Sequence, residues 1–165
     1  MEKVSDKFFK AFLYTLKFEG QYSNNPNDPG GETKYGISKN IFDKLNIREL
    51  TLDDAMAIYY NHYWTEWLEL ITNQKIINKI LAARINIGNS RATEILQFTL
   101  AKYYRAPIAV DGILGKRTAL AINKILKSPE ETKMLIKLYG FELAKFYEDI
   151  GKEVFLKGWL KRALD

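Results

Sequence analysis

The chain has 165 residues, 47% of them hydrophobic, with a formal charge of +5 and a pI near 9.2. That length and apolar content suit one packed domain and exclude a disordered chain. There is no cysteine and one histidine, His62, so disulfides, thiol catalysis, Cys-based metal sites and a two-His zinc site are excluded.

A basic chain is drawn to polyanions: nucleic acid, anionic lipid or the bacterial wall. The Lys and Arg residues are spread without a block of five or more, which speaks against a nucleic-acid footprint. No run of about 18 apolar residues occurs, so stable membrane insertion is not expected. A Ser-His-Asp triad would depend on His62 alone, whose neighbours Tyr59, Tyr60, Tyr63 and Trp64 suit a packed or rim position.

Taken in chain order, the hydrophobic spacing is mostly helical. Phe8, Phe9, Phe12, Leu13 and Leu16 make one apolar stripe, and Gly20 is expected to end that first helix. The apolar middle of this segment is broken by Lys10 and Lys17, which reads as a mature helix rather than a signal peptide. The stretch Glu19 to Ile37 holds two Pro, four Gly, three Asn and one Asp, the composition of a long loop or short irregular hairpin. Ser38 is placed to cap a short helix through Phe42 and Leu45. Thr51-Leu-Asp-Asp opens another helix through Met56, Tyr59 and Tyr60. Ile76, Ile77, Ile80, Leu81 and Ile85 predict a helix from Gln74 to Asn86, stopped at Gly88, and Ser90 is placed to cap the next. Pro107 to Gly115 reads as a loop and Thr118 to Leu126 as a helix. Ser128-Pro-Glu-Glu is a strong start, with a Ser cap, Pro at the first helical position and Glu131 three residues after the cap. That helix is expected to run to about Asp149. Phe155 to Arg162 reads as a short final helix packed on the body. The sum is a mainly α domain: a helical body with one long polar loop after its first helix.

Glu19 follows Phe12 by seven residues and Phe8 by eleven, which places it within about 20° of both on a helical wheel. A carboxyl on the apolar face at a helix end is partly desolvated. This favours its protonated form, as does the negative end of the helix dipole. A general acid needs that bias, yet a Glu at a frayed end paired with Lys17 fits the same spacing. The following loop adds Asp28 and Thr33, and glycoside hydrolysis commonly uses a carboxylic acid with a second group flanking the bond. Gly30 and Gly31 let the loop turn sharply. Asp28 also suits an ordinary turn-forming role.

The segment Glu19-Gly-Gln-Tyr-Ser-Asn-Asn-Pro-Asn-Asp28-Pro-Gly-Gly-Glu-Thr33-Lys-Tyr-Gly-Ile-Ser38 resembles the N-terminal motif of glycoside hydrolase family 108. These are bacteriophage and bacterial N-acetylmuramidases, some described as secretion activators. The resemblance continues through Ile58-Tyr-Tyr-Asn-His-Tyr-Trp64 and Ile85-Asn86-Ile-Gly88. Ala92 to Ile122, with Leu96-Gln97 and Val110-Asp-Gly-Ile-Leu-Gly115, resembles the peptidoglycan-binding module that ends such proteins. Lys157-Gly-Trp159-Leu-Lys-Arg162 is similar to the usual tail. One position departs: the family often carries Asp four residues before the signature Asn86, where this chain has Ala82.

The resemblance implies one lysozyme-like α+β domain over residues 1–165, with residues 1–88 catalytic and 89–165 a helical part packed in the same domain. It implies hydrolysis of the β-1,4 bond between N-acetylmuramic acid and N-acetylglucosamine, with Glu19 as the catalytic acid and no metal or organic cofactor. A looser likeness to the Glu…Asp…Thr order of phage-type lysozymes assigns Asp28 and Thr33 as the second group. Tyr22, Tyr35 and Trp64 suit sugar stacking or rim packing. Asn24 is a further substrate-contact candidate. Asn86 suits an N-acetyl contact or a structural bond to the loop. Asp111-Gly-Ile-Leu-Gly115 has one carboxylate and lacks calcium-loop spacing, so a tight turn is expected there. Trp159 is expected in the core and Arg162 in an ion pair. A lytic transglycosylase and an inert wall-binding or secretion-activating module are the rival readings. The expected partner is bacterial peptidoglycan, met by a monomer made in the cytoplasm without a signal peptide and released to the wall in the periplasm, with a holin-type pore as a route.

Overall fold

The computed structural model of the chain describes residues 4–24, 31–150, 158, 160, 161 and 163. Its elements run α1 (Asp6–Leu16), β1 (Thr33–Lys34), β2 (Ile37–Ser38), a 3-10 turn at Ile47–Glu49, α2 (Leu52–His62), α3 (Glu66–Leu70), α4 (Gln74–Ile87), α5 (Asn89–Tyr104), α6 (Lys116–Ile125) and α7 (Pro129–Ile150). The fold is mainly helical, in the manner of lysozyme-like proteins, with one small antiparallel hairpin beside the helical body.

α4 is the central element. It packs against α1 on one side and α5 and α7 on the other, and Ile76, Ile77, Ile80 and Leu81 are fully buried. Because it contacts both sides, the helices before and after Gly88 share one core, with Phe8, Phe12 and Tyr59 at one end and Leu96, Leu135 and Tyr139 at the other. The long α4 side chains also tie in the tail: Lys79 Nζ donates to the Ala163 carbonyl at 2.7 Å. Gly158, Leu160, Lys161 and Ala163 are helical, as expected for a final helix. Trp159 and Arg162 lie outside the described residues.

The capping chemistry explains most boundaries. Thr51 and Asp54 form a reciprocal capping box at the start of α2, a device that contributes about 1 kcal/mol. Ser128 Oγ accepts from the Glu131 N–H, and Glu131 accepts from the Lys127 N–H, as the Ser-Pro-Glu-Glu start predicts. Four expectations change. α1 ends at Leu16, and the chain tightens into 3-10-type bonds, with the N–H of Lys17, Phe18 and Glu19 each donating three residues back. Ser38 does not cap a helix. It ends β2, and turns follow, with the Ile41 and Phe42 N–H groups both donating to its carbonyl. α5 begins at Asn89 with Gly88 as its cap, so Ser90 lies inside the helix. The five-residue α3, preceded by Thr65 whose side chain makes no capping bond, is an addition to the expected helices.

Candidate active site

Glu19 sits three residues beyond α1 and is half-buried, with its N–H donating to the Leu16 carbonyl at 3.3 Å. One carboxyl oxygen, Oε1, is shielded from water. The following strand-like segment runs back along the hairpin: Ser23 and Thr33 exchange two N–H···O bonds of 2.8 Å, and the Tyr35 N–H donates to the Gly20 carbonyl at 3.0 Å. These bonds fold the hairpin over Glu19.

The hairpin turn is the two-residue Tyr35-Gly36 loop, with φ of +52° and +73°. Two left-handed residues in succession match a type I′ turn, whose twist fits the flanking strands. Gly36 is required for more than its φ. A Cβ built there would lie 2.9 Å from both Cδ and Oε2 of Glu19, so the bare backbone of the turn rests on the carboxyl. Tyr35 pays the cost of a left-handed non-glycine residue. Its backbone is pinned at both ends: its N–H by Gly20 and its carbonyl by the Tyr59 hydroxyl at 2.7 Å. Tyr59 is fully buried on α2 and meets Phe12 edge-on at 5.1 Å. The helical core therefore fixes the turn, and the turn fixes Glu19.

Tyr63 completes the surroundings. Its phenol is pushed above its ordinary value, by burial first and then by the negative charge of Glu19, which places the two groups within electrostatic reach. Gly36, Tyr59 and Tyr63 were not singled out from the sequence as parts of the site. The adjacent Tyr-Gly pair between two short polar-apolar runs is a usable turn signal for Gly36; the two tyrosines lie in the Ile58–Trp64 segment that carries the resemblance, which gives them no role of their own.

The other candidates separate. Thr33 is half-buried on β1, and its Oγ1 donates to the Gly31 carbonyl at 3.2 Å, which puts it on the same hairpin. Asp28 lies outside the described residues. Tyr22 is exposed, with its hydroxyl donating to Glu32 at 2.7 Å and the Arg48 guanidinium 5.9 Å from its ring centre. The Glu32 bond raises the Tyr22 phenol. Asn24 is exposed beside it and bonds its side chain. Tyr35 is half-buried, with Lys34 Nζ 5.4 Å from its ring centre.

Trp64 does not join them. It is 8% exposed, meets Phe8 edge-on at 5.3 Å, and its indole N–H donates to Glu69 at 3.0 Å. A ring so enclosed offers no face to a sugar. Asn86, on the last turn of α4, accepts from the Tyr147 hydroxyl of α7 at 2.6 Å. Ala82, where the resembling family often has Asp, is 1% exposed and packed in the core. His62 is exposed, edge-on to Phe42 at 5.0 Å. The Asp111 loop is a turn: Asp111 accepts from the Ile113 N–H and the Gln97 amide, while Gln97 accepts from the Asp111 and Gly112 N–H groups. Among the described residues no cluster of three metal-ligating side chains occurs, and no helix is long and apolar enough to cross a membrane.

Residues 12–88 match the family model described as glycosyl hydrolase 108, and residues 91–164 match the one described as a predicted peptidoglycan domain. Among solved structures, the chain is similar to that of Brucella abortus SagA, with 25% sequence identity over 94% of this chain and 88% of that one and a TM-score of 0.77. No curated protein matches the chain.

Proposed function

Because residues 12–88 match the glycosyl hydrolase 108 model and residues 91–164 the predicted peptidoglycan domain, we propose that this chain is a peptidoglycan hydrolase of that family, cleaving the β-1,4 bond between N-acetylmuramic acid and N-acetylglucosamine with Glu19 as the general acid. The observation that carries this reading is the clamp on Glu19. The hairpin turn at Gly36 rests on the carboxyl and Oε1 is closed to water. Excluding water from a carboxyl disfavours its charged form, and a general acid must arrive protonated. A carboxyl against the backbone of a glycine turn that Tyr59 pins through the Tyr35 carbonyl is also fixed in position, which an acid aimed at one glycosidic oxygen requires.

In this reading the polar hairpin flank is the sugar-facing side. Glu19 donates its proton to the oxygen of the leaving sugar as the C–O bond breaks. Asp28, with Thr33, orients water or stabilises the oxocarbenium-like charge on the opposite side. Tyr22 and Tyr35 supply aromatic surface and Asn24 a polar contact for the glycan. Asn86 acts from behind, holding the end of α4 through Tyr147. The protein works as a monomer on the wall after release from the cytoplasm through a holin-type pore, as an endolysin does.

The test is digestion of purified peptidoglycan followed by mass spectrometry. The chain should release fragments ending in reducing muramic acid. Glu19→Gln should lower turnover by about 10²–10⁴-fold with an unchanged circular dichroism spectrum. A Glu19→Gln protein that still cleared walls would overturn the assignment of the acid. Anhydro-muropeptides as the main product would replace hydrolysis with transglycosylation.

A further inference from the structure

The C-terminal half holds a concave site that the chemistry at Glu19 does not use. It is a pocket of about 650 Å³ between the end of α5, the loop after it, α6 and the first turn of α7. Its floor is apolar, built from Ile108, Leu120, Ala121 and Ile125. Its rim carries Arg105, Arg117, Lys124 and Lys127, against the single acid Glu131. All four cations are exposed. The ion pairs among the described residues join Arg91 to Glu94 and Lys102 and Lys145 to Glu142, so none involves these four. Glu131 is already engaged, accepting the Lys127 N–H at 2.7 Å. At the edge, the Tyr104 hydroxyl is shielded from water without a hydrogen-bond partner among the described residues.

We propose that this pocket binds the stem peptide of peptidoglycan, gripping its free carboxylates with the Arg and Lys rim and seating its alanine methyl groups on the apolar floor. A neutral glycan gives four unpaired cations nothing to hold. A phosphate polymer gives the apolar floor nothing to cover. A short peptide alternating methyl side chains with carboxylates matches both features. The pocket lies within residues 91–164, which match the predicted peptidoglycan domain, and this inference rests on peptidoglycan as the substrate. The consequence is a division of labour: the hairpin side takes the sugar backbone, and the α5–α7 pocket reads the peptide hanging from it.

The experiment titrates the full isotope-labelled chain with the synthetic tetrapeptide N-acetyl-L-Ala-γ-D-Glu-meso-diaminopimelyl-D-Ala, whose free carboxylates outnumber its single amine, and follows backbone amide shifts by NMR. Saturable shifts at Tyr104 to Ile108 and Arg117 to Ile125 are expected. The double variant Arg117→Glu, Lys124→Glu should weaken binding by about tenfold, since each exposed charge contact is individually modest. The same peptide with its carboxylates amidated should not bind the unaltered chain, an arm that needs no variant to fold. No shifts at millimolar peptide, shifts confined to other residues, or equal binding of the amidated peptide would overturn the proposal. So would displacement of the peptide by chito-oligosaccharide, or stronger binding of a teichoic-acid phosphate polymer to the same amides. The peptide contains no glycosidic bond, so its failure to bind leaves the assignment of Glu19 standing, and an active Glu19→Gln protein leaves the pocket standing.

Discussion

Replacing Gly36 with alanine separates the clamp on Glu19 from ordinary turn strain. The residue has φ of +73°, so a side chain there costs about 1–3 kcal/mol in backbone strain. The methyl group would also lie 2.9 Å from Glu19 Cδ and Oε2. Carbon contacts are favourable at about 3.5–4.0 Å, so the carboxyl must retreat by roughly 0.5–1 Å. A misplacement of about 1 Å in a catalytic group costs on the order of 10²-fold in rate. Gly88→Ala is the matched control. Gly88 has φ of +84° and ψ of +159°, a backbone region at least as hostile to a side chain, but its Cβ would meet nothing within 4 Å. Both variants should melt lower, by about 2–4 °C per kcal/mol lost in a domain of this size. Only Gly36→Ala should lose about 10²-fold in turnover, measured as release of reducing sugar from purified walls below the melting temperature of either variant. Equal turnover in the two variants would refute the reasoning, because backbone strain would then explain everything and contact with Glu19 nothing.

Other outcomes follow from the same contacts. Tyr59→Phe deletes the bond that pins the Tyr35 carbonyl; it should lower stability by about 1 kcal/mol in chemical denaturation and loosen the hairpin, seen as faster amide exchange at Tyr35 and Gly36. Acid should destabilise the fold through three carboxylates. Burial pushes Glu142 up, but bonds from Tyr103 and Lys102 outweigh it and leave its carboxyl below the ordinary 4.5. Asp54 is held low by the Thr51 side chain and backbone, and Asp111 by the Ile113 N–H and Gln97. The unfolded chain therefore binds these protons first as pH falls. The stabilisation is complete above the ordinary carboxylate range and is lost as pH drops through the folded values. Glu142→Gln should flatten that acid limb in denaturation measured from neutral pH downward. With a net charge of +5, wall binding should weaken as salt rises, because exposed charges are screened beyond about 8–10 Å at physiological ionic strength; a sedimentation assay with no salt dependence would remove charge from the encounter.

Much of the helical body is legible in the sequence. The Thr51 and Ser128 starts, the apolar spacing of α4 and the stop at Gly88 depend on side chains bonding their own backbone within a few residues, or on a left-handed φ only glycine takes easily. Those interactions are local, so residue order encodes them directly. Glu19 was legible as a carboxyl beside an apolar face, and the motif around it resembles glycoside hydrolase family 108, whose model matches residues 12–88. What the sequence could not reveal depended on distant groups. α1 stops at Leu16 because the chain must turn to deliver Gly20 to Tyr35. Ser38 ends a strand because its partner Thr33 lies across the hairpin. Trp64 is core because Phe8 and Glu69 enclose it, although an indole ring by itself also suits sugar stacking. The clamp on Glu19 joins α1, the hairpin and α2 through Gly36 and Tyr59, residues 17 and 40 positions further along the chain. Packing alone decides such contacts, because sequence periodicity reports which face is apolar and not which partner will cover it.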